Sequence, residues 1–111
     1  PAILDVIRDR NTLYREVPGD IIENIYTLKL INQSNEPRSF NLAVSGVEGI
    51  ALDGAPDPVE VGGGDVLSLP VRVRVHRDNA YGIMDIEFSM TATDDPSVSL
   101  VEDSRFLGPS P

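Results

Sequence analysis

The chain has 111 residues, of which 41% are hydrophobic and 24% charged; 18 acidic residues against nine basic ones leave a net charge of −9, and there is no cysteine. This length suits one domain, residues 1–111, around one core, and the composition excludes a disordered tail. The negative charge argues against nucleic acid and anionic lipid surfaces as partners, and the missing cysteine removes disulfides, thiolate metal sites and redox pairs.

In "NIYTLKLINQ", Tyr26, Leu28 and Leu30 alternate with Ile25, Thr27, Lys29 and Ile31, the period of a strand rich in β-formers. "EPRSFNLAVSG" follows with Phe40, Leu42 and Val44 on one face, and the polar "NQSNEP" between them predicts a turn joining an antiparallel pair. "VEGIALDGAPDPVEVGGGD" is broken by Gly, Pro and Asp and reads as loops with short edge strands. "DVLSLPVRVRVHRD" has Val71, Val73 and Val75 inward and Arg72, Arg74 and His76 outward. Pro70 cannot donate to a ladder, which places it at a bulge or on an edge side.

After the turn-like "HRDNAYG", the segment "IMDIEFSMTATDD" sets Met84, Ile86, Phe88 and Met90 against Asp85, Glu87, Ser89 and Thr91. The last strand, "SVSLVEDSRFL", changes character halfway, which predicts a bulge or an edge. No window carries the helical i, i+3, i+4, i+7 repeat. About seven short strands point to an all-β, immunoglobulin-like antiparallel sandwich with an aliphatic core, lacking the disulfide and tryptophan of antibody domains. A barrel is the alternative; the interrupted middle segment fits more easily on a sandwich edge.

Catalytic machinery is not visible. His76, the only histidine, ends a strand and has no nucleophile elbow near it, so it reads as a solvent-facing residue and only a weak metal candidate. Met84 and Met90 share the core parity and stand about 20 Å apart along a strand, too far to ligate one ion. Asp53, Asp57, Asp65, Asp78, Asp94, Asp95, Glu102 and Asp103 follow no calcium-loop pattern and read mainly as turn and cap residues. Gly62, Gly63 and Gly64 precede Asp65 and a strand, so "VGGGD" is read as a flexible turn and not a phosphate loop. "RDRNTLYRE" gathers Arg8, Arg10 and Arg15 beside Tyr14; ion pairing with the acidic surface is the favoured reading and a partner contact the other.

No stretch approaches the ~18–20 apolar residues of a membrane span, and "PAILDVIRDR" has no signal-peptide pattern. Pro1-Ala2 lacks an initiator methionine, so the expectation is a domain of a longer protein that does not itself insert in a membrane.

"DVIRDRNTLYRE" (5–16), "IENIYTLKLINQ" (22–33) and "DDPSVSLVEDSRFLGP" (94–109) resemble the carboxy-terminal region of the FixG/CcoG family of bacterial cytochrome oxidase accessory proteins. The resemblance implies an immunoglobulin-like domain on the periplasmic side of the inner membrane, following the last helix of a membrane protein with a [4Fe-4S] ferredoxin-like module. That protein would serve assembly of the cbb-type oxidase by reducing copper(II) to copper(I). The family's cluster cysteines and membrane histidines have no matching positions here, so no redox residue carries over. On the same footing, Pro1 to Leu4 would mark the exit from the membrane part, "DVIRD" the first strand and "SLVEDSRFLGPSP" the closing strand and tail.

The expected role is a non-catalytic interaction or assembly module. Its partners would be its own membrane and ferredoxin part, oxidase subunits or copper chaperones, met through an exposed sheet edge or the "VEGIALDGAPDP" loops. The alternative is direct copper handling through His76 or the acidic loops. A carbohydrate-binding sandwich ranks last, because three Tyr, three Phe and no Trp offer few stacking platforms.

Overall fold

The computed structural model describes residues 1–111. Nine strands form two antiparallel sheets, with one 3-10 turn at Arg77–Asn79. The first sheet joins β1 (Ala2–Arg8), β3 (Ile21–Asn32), β7 (Val66–His76) and β5 (Ala51–Asp53) in that order, with β2 (Arg15–Val17) paired to the start of β3. The second runs β6 (Val59–Val61), β4 (Arg38–Ser45), β8 (Ile83–Ala92), β9 (Ser99–Leu107). The immunoglobulin-like sandwich is thus present.

Alternation decides which side chains meet between the sheets. Leu4, Tyr26, Leu28, Leu30, Val71, Val73 and Val75 from the first sheet face Phe40, Ile86, Phe88, Met90 and Phe106 from the second, all at most 2% exposed. The core is not simply aliphatic, since all three phenylalanines are buried and the Tyr26 and Phe88 rings meet edge to face at 5.0 Å. A few rings supply much apolar area in a small sandwich.

Several expectations are corrected. The first strand starts earlier than "DVIRD" and stops one residue short of its end: β1 runs Ala2–Arg8, and Leu4 is a core residue instead of part of a connecting stretch. β3 and β4 do not form a hairpin but belong to different sheets. Asn32, fully buried, explains the crossing: its amide donates to the carbonyls of Glu36 (2.8 Å) and Val61 (3.1 Å), while its oxygen accepts from the Ser34 backbone N–H (3.0 Å) and hydroxyl (2.7 Å). With the amide saturated inside the connection, the chain is tied to the β6 side and does not fold back on β3.

β9 contains no bulge, because its register with β8 is unbroken from Ile83↔Leu107 to Thr91↔Ser99; it is instead the sheet edge. Pro70 lies opposite Thr27 in β7, beyond the stretch that β5 covers at Arg72 to Arg74, so its missing N–H leaves no ladder bond unmade there. Nor is "VGGGD" a loose turn. A Cβ on Gly63 would stand 2.4 Å from the Asn35 carbonyl oxygen, so this turn is packed onto the β3–β4 connection.

β2 has no alternating pattern to announce it. It exists because Arg15 pairs with Glu23 across the register, and Glu23 with Arg74 on the other side. Glu23, 2% exposed, holds Arg74 Nε at 2.8 Å and Arg15 Nη1 at 3.7 Å. In the neighbouring row, Arg72 stands opposite Asp53 and binds it at 2.6 Å. The outward arginines of "VRVRV" are therefore held by carboxylates on the strands beside them.

Candidate interaction cleft

β1 and β9 flank the open side of the sandwich, each at the edge of its own sheet. β1 ends where the Asp9 N–H donates to the Ile25 carbonyl at 2.8 Å; the chain then leaves the sheet and rejoins it at β2. Beneath this excursion lies a groove of about 1000 Å³. Arg8, Asp9 and Arg10 form one wall; Ile83, Ser104, Arg105 and Leu107 form the other; Val6, Ile7, Ile25 and Thr27 lie between.

Two inward side chains of β3 fix the far wall. The Asn24 amide donates to the Leu107 carbonyl at 2.9 Å and its oxygen accepts from the Leu107 N–H at 2.9 Å. The Tyr26 hydroxyl donates to the Arg105 carbonyl at 2.7 Å, and burial raises the tyrosine's pKa well above its ordinary value, with nearby Arg8 opposing in part. Asn24 thereby acts as a substitute strand, satisfying both backbone groups of Leu107 on the side that faces away from β8.

These bonds also define which backbone groups face outward. In an antiparallel ladder, alternate residues direct both their N–H and C=O to the same side. Because Arg105 and Leu107 point away from β8, Val101 and Asp103 do so as well. On β1, the bonds from Asp9 to Ile25 and from Gln33 to the Pro1 carbonyl set the odd residues toward β3. Leu4, Val6 and Arg8 consequently turn their backbone groups to the open side.

The charge around the groove departs from that of the molecule. Arg15, Arg38, Arg72, Arg74 and Arg77 pair with Glu23, Asp94, Asp53, Glu23 and Glu16 respectively. Arg10 pairs with no carboxylate, Arg8 only donates to the Asp9 carbonyl at 3.1 Å, and Arg105 stays 3.9 Å from an exposed Asp85. Ion pairing within the domain therefore accounts for Arg15 in "RDRNTLYRE" and not for Arg8 or Arg10. The groove also exposes apolar surface, with Ile7 53% and Ile83 68% accessible.

The other sequence candidates lie apart from this lining. His76 closes β7 and caps the 3-10 turn, its Nδ1 accepting from the Asp78 N–H at 3.1 Å and lying 3.6 Å from Asp78 Oδ2. No three side chains among His, Asp and Glu converge in a metal-binding arrangement. Met90 is buried and Met84 half-buried on the inward face of β8. Asp95 accepts from both the N–H and the hydroxyl of Ser97, which holds its carboxyl below the usual range. Val47, Ile50, Leu52 and Ala55 of "VEGIALDGAPDP" pack against the core.

Sequence reasoning does not isolate Asn24, Glu23 or Arg105. The only hint is "IIENIY", where two polar residues interrupt an apolar run at the head of a central strand.

Fold and cleft together define an immunoglobulin-like β-sandwich with a groove of mixed apolar and polar lining, edged by Arg8, Arg10 and Arg105, at its open side. Residues 1–109 match the family described as "IG-like fold at C-terminal of FixG, putative oxidoreductase". The chain belongs to this family of FixG carboxy-terminal domains. The crystal structure of a FixG-related protein from Vibrio parahaemolyticus superposes with a TM-score of 0.86 at 36% identity, covering 97% of this chain and 96% of that one. No curated protein matches the chain.

Proposed function

We propose that this domain is a non-catalytic docking module of a membrane-bound iron-sulfur accessory protein, held on the periplasmic side and serving assembly of a cbb-type cytochrome c oxidase. The rest of such a protein would carry the [4Fe-4S] clusters that reduce copper(II) to copper(I) for delivery. This chain has no cysteine to offer a cluster, so it contributes no electron-transfer step and acts by binding protein. Partners in this reading are its own membrane and ferredoxin part, oxidase subunits or copper chaperones.

The observation that carries the reading is the meeting of the two terminal family segments at one groove. "DVIRDRNTLYRE" supplies Arg8 and Arg10, and "SLVEDSRFLG" supplies Arg105 and Leu107, although they stand at opposite ends of the sequence. Core packing alone does not require cations there. The inward-packed "VEGIALDGAPDP" loop leaves the β1/β9 edge as the better docking face.

Deletion of the domain from the full-length protein, with the clusters verified spectroscopically, is expected to lower the level of assembled oxidase. Unchanged oxidase in cells with intact clusters would refute the reading.

A further inference from the structure

We propose that the groove between β1 and β9 receives an acidic segment of a partner protein, with carboxylates on Arg8, Arg10 and Arg105 and an apolar side chain between Ile7 and Ile83. This rests on the reading of the domain as a docking module and names the chemistry of what docks.

Charge complementarity carries the choice of occupant. In a chain of net charge −9, five arginines are paired with carboxylates and Arg105 meets only the fully exposed Asp85 at 3.9 Å, whereas Arg8 and Arg10 have no carboxylate partner. Unpaired cations beside exposed isoleucines gain from a ligand that brings carboxylates and hydrocarbon together, since guanidinium groups bind carboxylates with two parallel hydrogen bonds. The free backbone groups of Leu4, Val6 and Arg8 add donors and acceptors for an extended segment, in the manner of strand addition.

A lipid surface has the same negative charge but the wrong shape. Asp5 and Asp9 flank Arg8 on its own segment, and Asp85, Glu87 and Asp103 line the adjoining groove beyond Arg105. A broad anionic surface would meet all of these carboxylates as well as the arginines, while a narrow peptide along the groove meets Asp9 alone among them. Like-charge repulsion from Arg8, Arg10 and Arg105 disfavours a basic segment in the groove.

The test uses a fluorescent eight-residue peptide alternating Asp or Glu with Leu or Ile, its Lys counterpart, and vesicles of phosphatidylglycerol. The 111-residue chain is titrated in wild-type form, as Arg8→Glu/Arg10→Glu, as Arg105→Glu, and as Asn41→Glu, a control that adds negative charge on the exposed face of β4, outside the groove lining. The acidic peptide should bind in a salt-sensitive way, weaken by about tenfold or more in the arginine variants, and be little changed in Asn41→Glu, with all variants melting like the wild type. Equal binding of the Lys peptide, an equal loss in Asn41→Glu, binding of vesicles without peptide, or no binding at all would overturn the proposal. In the full-length protein, domain deletion that impairs the oxidase while the arginine variants do not would remove the groove inference and leave the docking role standing. Deletion without effect would remove the docking role itself.

Discussion

The Tyr26 hydroxyl binds the backbone carbonyl of Arg105 at 2.7 Å, so a core side chain of one sheet holds the last strand of the other. Tyr26→Phe keeps the ring against Phe88 and leaves that carbonyl without its donor. The expected loss is about 1–2 kcal/mol, seen as a lower urea midpoint with an unchanged slope.

The same residue predicts an alkaline limb. Because burial raises the folded-state pKa, the neutral phenol stabilises the fold fully below the ordinary tyrosine range near ~10, and that contribution is lost as pH rises above it. Denaturation midpoints measured between about pH 9 and 12 should fall more steeply for the wild type than for Tyr26→Phe; parallel curves would contradict the assignment.

Asn24→Ala removes two bonds at once and leaves both backbone groups of Leu107 unpaired. A cost of about 2–4 kcal/mol is expected. Amide hydrogen exchange gives the sharper readout: the Leu107 N–H should lose protection while those of the β3–β7 ladder keep theirs.

Glu23 sits between two arginines with almost no exposure. Glu23→Ala leaves Arg74 without its main partner and is expected to cost about 1–3 kcal/mol, less than a fully buried pair because Arg74 itself reaches solvent. A double-mutant cycle with Arg74→Ala should show clear coupling, and the double variant should be less destabilised than the sum of the two single changes.

At acidic pH, Asp53 is the informative group. Its hydrogen bond from Arg72 holds the carboxyl below its ordinary value, so the stabilisation is present above the unfolded pKa of about 4 and is lost as pH falls through the lower folded value. Asp53→Asn should therefore lose less stability than the wild type over that acid range in urea titrations.

The long strands were legible because their side chains alternate against one core: the faces of β3, β7 and β8 follow directly from Tyr26, Val73 and Phe88. Pairing was not, since alternation says which face is buried and nothing about which sheet a strand joins. Asn32 diverts the chain to the other sheet through four hydrogen bonds that look, in sequence, like any polar turn. The groove was hidden for a related reason. Arg8 and Arg10 resemble the paired Arg15 in sequence, and only the lack of an ion-pair partner in the fold distinguishes them. Asn24 completes a strand edge with a side chain, and no periodic pattern encodes that.

Asn24 also bears on how the domain responds to tension. The chain starts beside Gln33, whose N–H bonds the Pro1 carbonyl, while β9 finishes at Asn24, about 30 Å farther along β3 and toward the other end of a body 47 Å long. A pull between the two termini would run along the strands, so β1 would slide against β3 and β9 against β8, with their hydrogen bonds sharing the load instead of opening singly. Rupture under force is governed by the unfolding barrier and not by equilibrium stability. A side chain that anchors the end of β9 thus sits where such a load would first be felt.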